Sequence, residues 1–201
     1  MVEEMQVMKD AVQLETPRLI LRRWQEVDRA PFGAINADAE VMHFFPAPLT
    51  REESDEAIDR YLAGFERNGF SFFAAVERET GELAGLAGLQ VMRDPVPKLT
   101  PPVVEIGWRL RMASQGRGLA TEAARAIVEY AFGPLALREV SAITAIPNVA
   151  SRRVMEKLGM THRPELDFDH PRVPEGHAYR RTTVYGLRNL KFDEVSCYPR
   201  S

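Results

Sequence analysis

Residues 114–121, Ser-Gln-Gly-Arg-Gly-Leu-Ala-Thr, have the composition of an anion-binding turn. They lie between an apolar strand predicted at 103–110 and a helix predicted over 119–132, whose apolar residues recur on one helical face. The first four N–H groups of a helix have no internal acceptor, and the helix dipole places about half a positive charge there. Glycine lets a bulky anion approach the backbone closely, so Gly116 and Gly118 favour a phosphate or pyrophosphate as occupant.

The turn has three other interpretations. Many strand-to-helix turns need a glycine for geometry alone, and the turn by itself leaves that alternative open. A Walker phosphate loop is excluded, because Gly118 is followed by Leu119 and Ala120 instead of Lys and Ser or Thr. A dinucleotide fingerprint is also excluded, because it needs three glycines after the first strand of a βαβ unit, and this turn lies past mid-chain.

Length and composition limit the class of protein. The 201 residues suit one domain with a real core, and 45% apolar with 27% charged residues indicates a soluble globular protein. A net charge of −3 argues against nonspecific nucleic-acid binding. The apolar runs are too short for a membrane span, and the acidic first five residues do not resemble a signal peptide.

Cysteine and histidine usage bears on location and metals. The lone Cys197 has no partner for an internal disulfide, which predicts a reducing, cytoplasmic setting. The four histidines show no metal-ligand spacing, so no metal site is expected. Residues 1–12 and 191–201 are interpreted as flexible tails around one domain at 13–190.

The predicted elements give a mixed α/β (α+β) fold, with strands expected at 18–24, 71–76, 83–89, 103–110, 139–146 and 181–187. Helices are expected after Asp28, after a capping box that begins at Thr50, over 119–132, and after Asn148. Three successive strands before the third helix predict an antiparallel meander. The strands on either side of that helix should run parallel, because a helical crossover joins them.

Two separated motifs resemble the GNAT superfamily of acyl-CoA-dependent N-acetyltransferases. Residues 115–120 match the signature Gln/Arg-x-x-Gly-x-Gly/Ala through Gln115, Gly118 and Ala120. Residues 148–160 match the block Asn-x-x-Ser-x-x-Val/Leu-x-x-Lys-Leu-Gly-Phe, with Met160 in place of the aromatic residue. The opening 14–22, Leu-Glu-Thr-Pro-Arg-Leu-Ile-Leu-Arg, is similar to the subgroup that resembles ribosomal-protein alanine N-acetyltransferases of the RimJ/RimL type.

The resemblance implies a single-domain, mostly antiparallel sheet of about seven strands with about four flanking helices, splayed at the acyl-CoA site. It implies acetyl-CoA as cosubstrate, an amine acceptor and, as in many relatives, a possible homodimer. The pyrophosphate would contact the turn, the pantetheine would pair with the strand end, and the next helix would face the sulfur. The residues implied are Leu110, Met112, Gln115, Gly116, Arg117, Gly118, Leu119, Ala120, Thr121, Asn148 and Ser151.

Two residues are candidates for the chemistry. Glu105 is the candidate base for an amine nucleophile, although a strand-edge role or binding of the substrate ammonium is the alternative. Ser151 matches the position of a serine proposed to protonate the leaving thiolate, although a serine at the third residue of a helix often bonds the local backbone. Asn148 is an N-cap with or without a CoA contact, and Arg117 is either a phosphate ligand or an exposed turn residue.

The acceptor is not identified by any signature. The resemblance implies a pocket built from the first two helices, their loop and the last hairpin, and these parts of the chain, with segments 44–48, 94–102 and 167–179, carry no recognisable signature. Side chains there have plain alternatives: His177 and Tyr179 line the pocket or belong to a polar loop, and the acidic residues attract a cationic acceptor or are simply solvated (Glu165, Asp167 and Asp169). The leading hypothesis is acetyl transfer to a primary amine of a peptide or small molecule, and the alternative is a non-catalytic acyl-CoA-binding sensor.

Overall fold

The computed structural model describes residues 12–92 and 96–190. The predicted tail at 191–201 with Cys197, all but Val12 of the tail predicted at 1–12, and residues 93–95 lie outside the described residues. Every element named below lies within the two described ranges.

Within those ranges, nine strands form one mixed sheet. The strands are β1 Leu14–Glu15, β2 Leu19–Arg22, β3 Phe72–Glu77, β4 Leu83–Val91, β5 Val104–Leu110, β6 Glu139–Ala145, β7 Thr161–His162, β8 Phe168–Asp169 and β9 Arg181–Arg188. Their order in the sheet is β1-β2-β3-β4-β5-β6-β9-β7, and β8 also pairs with β9. Only the β5–β6 pair is parallel; the others are antiparallel. The fold class, the meander and the parallel pair are confirmed.

The sheet has more strands than the pattern indicated because β1, β7 and β8 contain two residues each. Two residues cannot show the alternation by which a strand is recognised in sequence. These short strands exist because a neighbouring long strand offers free backbone groups, β2 to β1 and β9 to both β7 and β8. They are products of tertiary pairing and not of local propensity.

The parallel pair β5–β6 is joined at one point only, where Glu105 lies opposite Ser141. By contrast, β4 pairs with β5 over seven residues and β6 with β9 over seven. Since both strands run in the same direction from this single pairing, their carboxyl-terminal halves diverge. The sheet is therefore splayed between β5 and β6, as expected.

Four α-helices occur in the described ranges: α1 Arg29–Ala37, α2 Arg51–Asn68, α3 Leu119–Phe132 and α4 Val149–Lys157. Both ends of α2 and the start of α4 follow the sequence signals. Asp28, expected to cap α1, makes no side-chain cap bond there, because its carboxylate instead accepts a hydrogen bond from Arg22 Nη1 at 2.6 Å. Thr50 and Glu53 form the predicted capping box, and Gly69 closes α2 in the left-handed conformation at φ 76°. Asn148 caps α4 by accepting a hydrogen bond from the Ser151 N–H at 3.1 Å.

The two faces of the sheet carry separate cores. One core lies under α3 and includes Phe73, Ile106, Leu110 and Leu119. The other lies under α1 and α2 and includes Phe72. Successive strand residues face opposite sides.

This alternation decides which side chains of β5 face α1 and α2. Ile106 and Leu110 face the α3 core, so Glu105, Gly107 and Arg109 face the side of α1 and α2. Gly107 supports this orientation, because a Cβ there would lie 3.1 Å from the Phe72 ring.

We expect Thr50→Ala to lower the free energy of unfolding by about 1 kcal/mol, because the N–H of Glu53 loses its side-chain acceptor. Thr50→Ser keeps the hydroxyl and is the matched control. Urea unfolding followed by circular dichroism measures both. Equal stability of the alanine variant and the wild type would show that the box contributes nothing to α2.

Candidate active site

A cleft of about 1030 Å³ opens where β5 and β6 diverge. One wall is the end of β5 with the turn into α3, and the opposite wall is the end of β6 with the start of α4. The segments 40–49, between α1 and α2, and 168–179, before β9, complete its lining. The cleft therefore has a donor half at the two helix N-termini and a second half bounded by loops.

The turn at 114–121 has the geometry of an anion site. Gly116 and Gly118 adopt left-handed backbone conformations at φ 71° and 79°, and Gly118 is the N-cap of α3. The helical ladder begins with the Glu122 N–H, which donates to Gly118 O at 3.1 Å. No hydrogen bond among the described residues uses the N–H groups of 118–121, so they are available to a phosphate.

A buried carboxylate from β3 fixes the turn from behind. Glu77 is 5% exposed and accepts hydrogen bonds from Ser114 Oγ at 2.7 Å, Arg117 Nη1 at 3.0 Å and Arg111 Nη2 at 3.3 Å. Burial alone would raise the pKa of Glu77, but the bonds from Ser114, Arg117 and Arg111 outweigh it, and the pKa lies below the ordinary 4.5. Glu77 is therefore ionised at neutral pH and holds three residues of the turn region.

A second carboxylate ties α3 to the start of β2. Glu122 accepts from Thr16 Oγ1 at 2.7 Å, from the Arg18 N–H at 2.9 Å and from Arg18 Nε at 2.7 Å. Arg18 Nη1 also donates to Arg117 O at 2.8 Å. The Thr-Pro-Arg sequence near the amino terminus thus supports the anion-binding turn, a role that its sequence alone did not indicate.

The start of α4 forms the facing wall. Asn148 Oδ1 is used by the N-cap bond to Ser151, and both residues line the cleft half-buried. Ser151 Oγ makes no hydrogen bond to the described part of the chain. The local backbone bond that was the alternative for this hydroxyl is therefore not formed.

Glu105 lies at the closed end of the splay. Its Oε2 accepts from Gln90 Nε2 at 2.7 Å, and its half-buried side chain lines the cleft. A carboxylate held at this position can accept a proton from an amine that enters between the strands.

The loop-bounded half of the cleft is aromatic. Tyr179 Oη is 2.7 Å from His43 Nε2, and the Phe44 ring lies 5.1 Å from that of Tyr179. This contact joins the segment between α1 and α2 to the segment before β9. Phe72 and Trp108 line the cleft while they also pack against the two cores.

The acidic residues that are candidates for attracting a cationic acceptor, Glu165, Asp167 and Asp169, do not line the cleft. Asp167 accepts from the Val184 N–H at 3.1 Å and pairs with His162, and Asp169 pairs with Arg181. These carboxylates stabilise the β7–β8–β9 corner. His177 also lies off the cleft, in contact with Tyr179.

Ten of the proposed site residues are brought together around the cleft: Glu105, Leu110, Gln115, Gly116, Gly118, Leu119, Ala120, Thr121, Asn148 and Ser151. Met112 and Arg117 are not among its lining residues. The side chain of Arg117 is held by Glu77, so phosphate contact there would fall to its backbone. Gln115 donates through Nε2 to Leu110 O at 2.9 Å, which links the turn to the strand end.

The charges that line the cleft are mostly positive. Basic residues are Arg60, Arg67, Arg109, Arg153, Lys157 and Arg172, and acidic residues are Glu40, Glu53 and Glu105. Such a balance attracts anionic ligands.

Among the described residues no cluster of His, Cys, Asp or Glu could hold a metal ion. None of the described helices is both long and apolar enough to cross a bilayer.

We expect Glu77→Gln to weaken acetyl-CoA binding about tenfold, because the turn loses its charged anchor. Isothermal calorimetry measures this loss of affinity, and Glu129→Gln, an exposed change on α3, is the control.

The lowered pKa also predicts that Glu77 stabilises the fold above about pH 4.5 and that this contribution is lost as the carboxylate protonates at lower pH. The stability gap between wild type and Glu77→Gln should therefore narrow on acidification; a constant gap would contradict the assigned role.

Comparison with known proteins identifies the family. The acetyltransferase (GNAT) domain model matches residues 18–161. The FsC-acetyl coenzyme A-N(2)-transacetylase of Aspergillus fumigatus is 34% identical over 188 residues, which cover 89% of this chain and 79% of that protein. The Bacillus subtilis protein YkkB is 30% identical over 154 residues, 76% of this chain and 87% of that protein.

Solved structures share the fold. RimL, the ribosomal L7/L12 α-N-protein acetyltransferase in complex with coenzyme A, superposes with a TM-score of 0.71 at 16% identity, over 88% of this chain and 98% of RimL. At that identity the likeness concerns the fold alone. The family match and the relatives favour the enzyme over the acyl-CoA sensor: the chain belongs to the GNAT acetyltransferase family and is an acetyl-CoA-dependent acyltransferase.

Proposed function

We propose that this protein transfers the acetyl group of acetyl-CoA to a primary amine by direct attack, with Glu105 as general base and Ser151 as proton donor. The observation that carries the proposal is that one cleft is lined by the N–H groups of the turn, by Glu105 and by Ser151. Residues 13–190 form the catalytic domain in this proposal.

The donor half supplies binding for the cosubstrate. The N–H groups of 118–121 and the positive end of α3 bind the pyrophosphate. Beyond Glu105 the edge of β5 is not paired with β6, so the strand from 106 to Leu110 has backbone groups for the pantetheine amides. Asn148 lines the cleft and its Oδ1 is occupied by the cap bond, so Nδ2 is the side-chain group left to donate to the pantetheine.

The reaction then needs three proton movements. The acceptor binds as an ammonium, and Glu105 takes its first proton, directly or through water, so that the nitrogen lone pair attacks the thioester carbonyl carbon. The C–N bond forms, the nitrogen of the tetrahedral intermediate loses its second proton to solvent water, the intermediate collapses and the C–S bond breaks. Ser151 Oγ gives a proton to the departing thiolate and regains one from solvent.

The acceptor in this proposal is a peptide α-amine or a small-molecule amine. The opening residues 14–22 support the first, through their similarity to the RimJ/RimL type. The Aspergillus relative, named as an N(2)-transacetylase, supports nitrogen as the acceptor atom. A cytoplasmic location, indicated by the single Cys197, and a homodimer complete the proposal.

A thiol-release assay tests the function. Purified protein with acetyl-CoA is given amino-terminal peptides, polyamines, aminoglycosides and amino acids, and coenzyme A release is followed with a thiol reagent. At least one amine should release thiol in proportion to N-acetyl product identified by mass spectrometry. Absence of thiol release with every amine would reject the proposal, and acetyl-CoA binding by calorimetry without thiol release would favour the acyl-CoA sensor.

Removal of the base should separate chemistry from binding. We expect Glu105→Gln to lower kcat by about 10²- to 10⁴-fold and to leave the acetyl-CoA Kd within about twofold, because a carboxamide cannot accept the amine proton. Glu129→Gln serves as control. A variant that keeps wild-type kcat would remove Glu105 from the role of base.

A further inference from the structure

The cleft contains a guanidinium that the acetyl-transfer chemistry above does not use. Arg109 lines the cleft from β5. Its Nη1 donates to Asn36 Oδ1 at 2.6 Å, and its Cζ lies 4.2 Å from the centroid of the Phe45 ring. Its Nε is buried without a hydrogen-bond acceptor. Asn36 is thus the one hydrogen-bond partner that the described residues give to Arg109.

No carboxylate of the described residues pairs with Arg109. Two other partly buried arginines do have such partners: Arg22 has Asp28 at 2.6 Å and Arg163 has Glu139 at 2.6 Å. A cation taken out of water without a counter-ion is costly, and burial lowers the pKa of Arg109 from its ordinary value. A guanidinium nevertheless stays protonated in proteins. The fold therefore holds a positive charge in the cleft that none of these carboxylates neutralises.

The neighbours of Arg109 orient it without cancelling its charge. Asn36 is fully buried, and its Nδ2 donates to Ser54 Oγ at 2.8 Å, which turns Oδ1 toward Arg109. Phe45 covers the guanidinium face with its ring. The neutral amide of Asn36 and the ring of Phe45 together fix the plane of the Arg109 guanidinium. The remaining N–H groups of the guanidinium are left for a ligand.

Arg109 lies on the acceptor side of the cleft. It shares its face of β5 with Glu105, four residues earlier, and that face is directed toward α1 and α2. Four residues of a strand span about 13 Å between Cα atoms, a distance that the two side chains can shorten from both ends. The pyrophosphate turn, in contrast, is built at the start of α3.

We propose that Arg109 binds a carboxylate of the acceptor, so that the amine acetylated by this enzyme carries a carboxylate. This inference rests on the proposed function and narrows it to a substrate class. The planar guanidinium matches a carboxylate through two parallel N–H···O bonds, while Glu105 receives the ammonium of the same molecule. The carboxylate belongs either to a free amino acid or to an acidic side chain of a peptide.

Paired acceptors test the class without any mutation. Amino acids with increasing separation between amine and carboxylate, peptides with an acidic second residue, and the carboxamide analogue of each are compared by thiol release. The carboxylate form should have a kcat/KM at least about tenfold above its carboxamide. Preference for free amino acids or for acidic peptides identifies the source of the carboxylate. Higher activity with polyamines or carboxamides overturns the inference and leaves the proposed function intact.

Variants then assign the preference to one residue. Arg109→Gln should reduce the carboxylate-to-carboxamide ratio to about 1 and leave the acetyl-CoA Kd within about twofold, while Arg109→Lys should retain part of the ratio. Arg125→Gln, an exposed change on α3, is the control. If Arg109 had only a structural role, Arg109→Gln would lower kcat/KM equally for the carboxylate and the carboxamide and keep their ratio. If Arg109 bound the cosubstrate, the acetyl-CoA Kd would rise. Either result rejects the assignment.

Binding provides a measure that does not depend on turnover. The protein saturated with coenzyme A is titrated by calorimetry with N-acetyl-amino acids and their methylamides. Carboxylates should bind and methylamides should bind at least about tenfold more weakly, with the difference lost in Arg109→Gln. If no amine releases thiol, the proposed function fails. If no carboxylate binds, the inference about Arg109 fails.

Discussion

The single pairing between Glu105 and Ser141 is the constraint on which the site depends. A parallel pair needs a crossover helix, and here α3 supplies it, so the start of α3 must lie at the open end of the splay. α4 follows β6 in the same way and brings Asn148 to the opposite wall. One topological fact therefore places two helix N-termini and an unpaired strand edge around the same volume.

This arrangement concentrates positive potential, and the fold has to stabilise it. The free N–H groups of α3 and the arginines near the turn, Arg18, Arg111 and Arg117, would repel one another if nothing lay between them. Glu77 and Glu122 separate them, since each accepts several charge-assisted bonds behind the turn. A phosphate at the front of the turn is then attracted by backbone dipoles, while the side-chain charges are already balanced at the back.

The parts of the structure that sequence predicts are those that depend on local rules. The Thr50 box, the glycine turn and the Asn148 cap each satisfy backbone groups within three or four residues, so their residue types appear at fixed spacing. Glu77 and Glu122 were missed because their partners are 34 to 40 residues and about a hundred residues away, respectively. In sequence, Glu77 is simply the first residue of a charged turn.

The same difference explains why the donor could be named before the acceptor. In the proposed site the cosubstrate is held by backbone geometry and by two local motifs, which leave a readable signature. The half of the cleft proposed to bind the acceptor is assembled from α1, the segment before α2 and the segment before β9, and its contacts join residues such as Asn36 and Arg109 that are 73 positions apart. The contact between a buried charge and its neutral partner is recognised only in the folded structure, where the two residues lie side by side. From sequence alone, an Arg in a strand is interpreted as a solvent-facing residue.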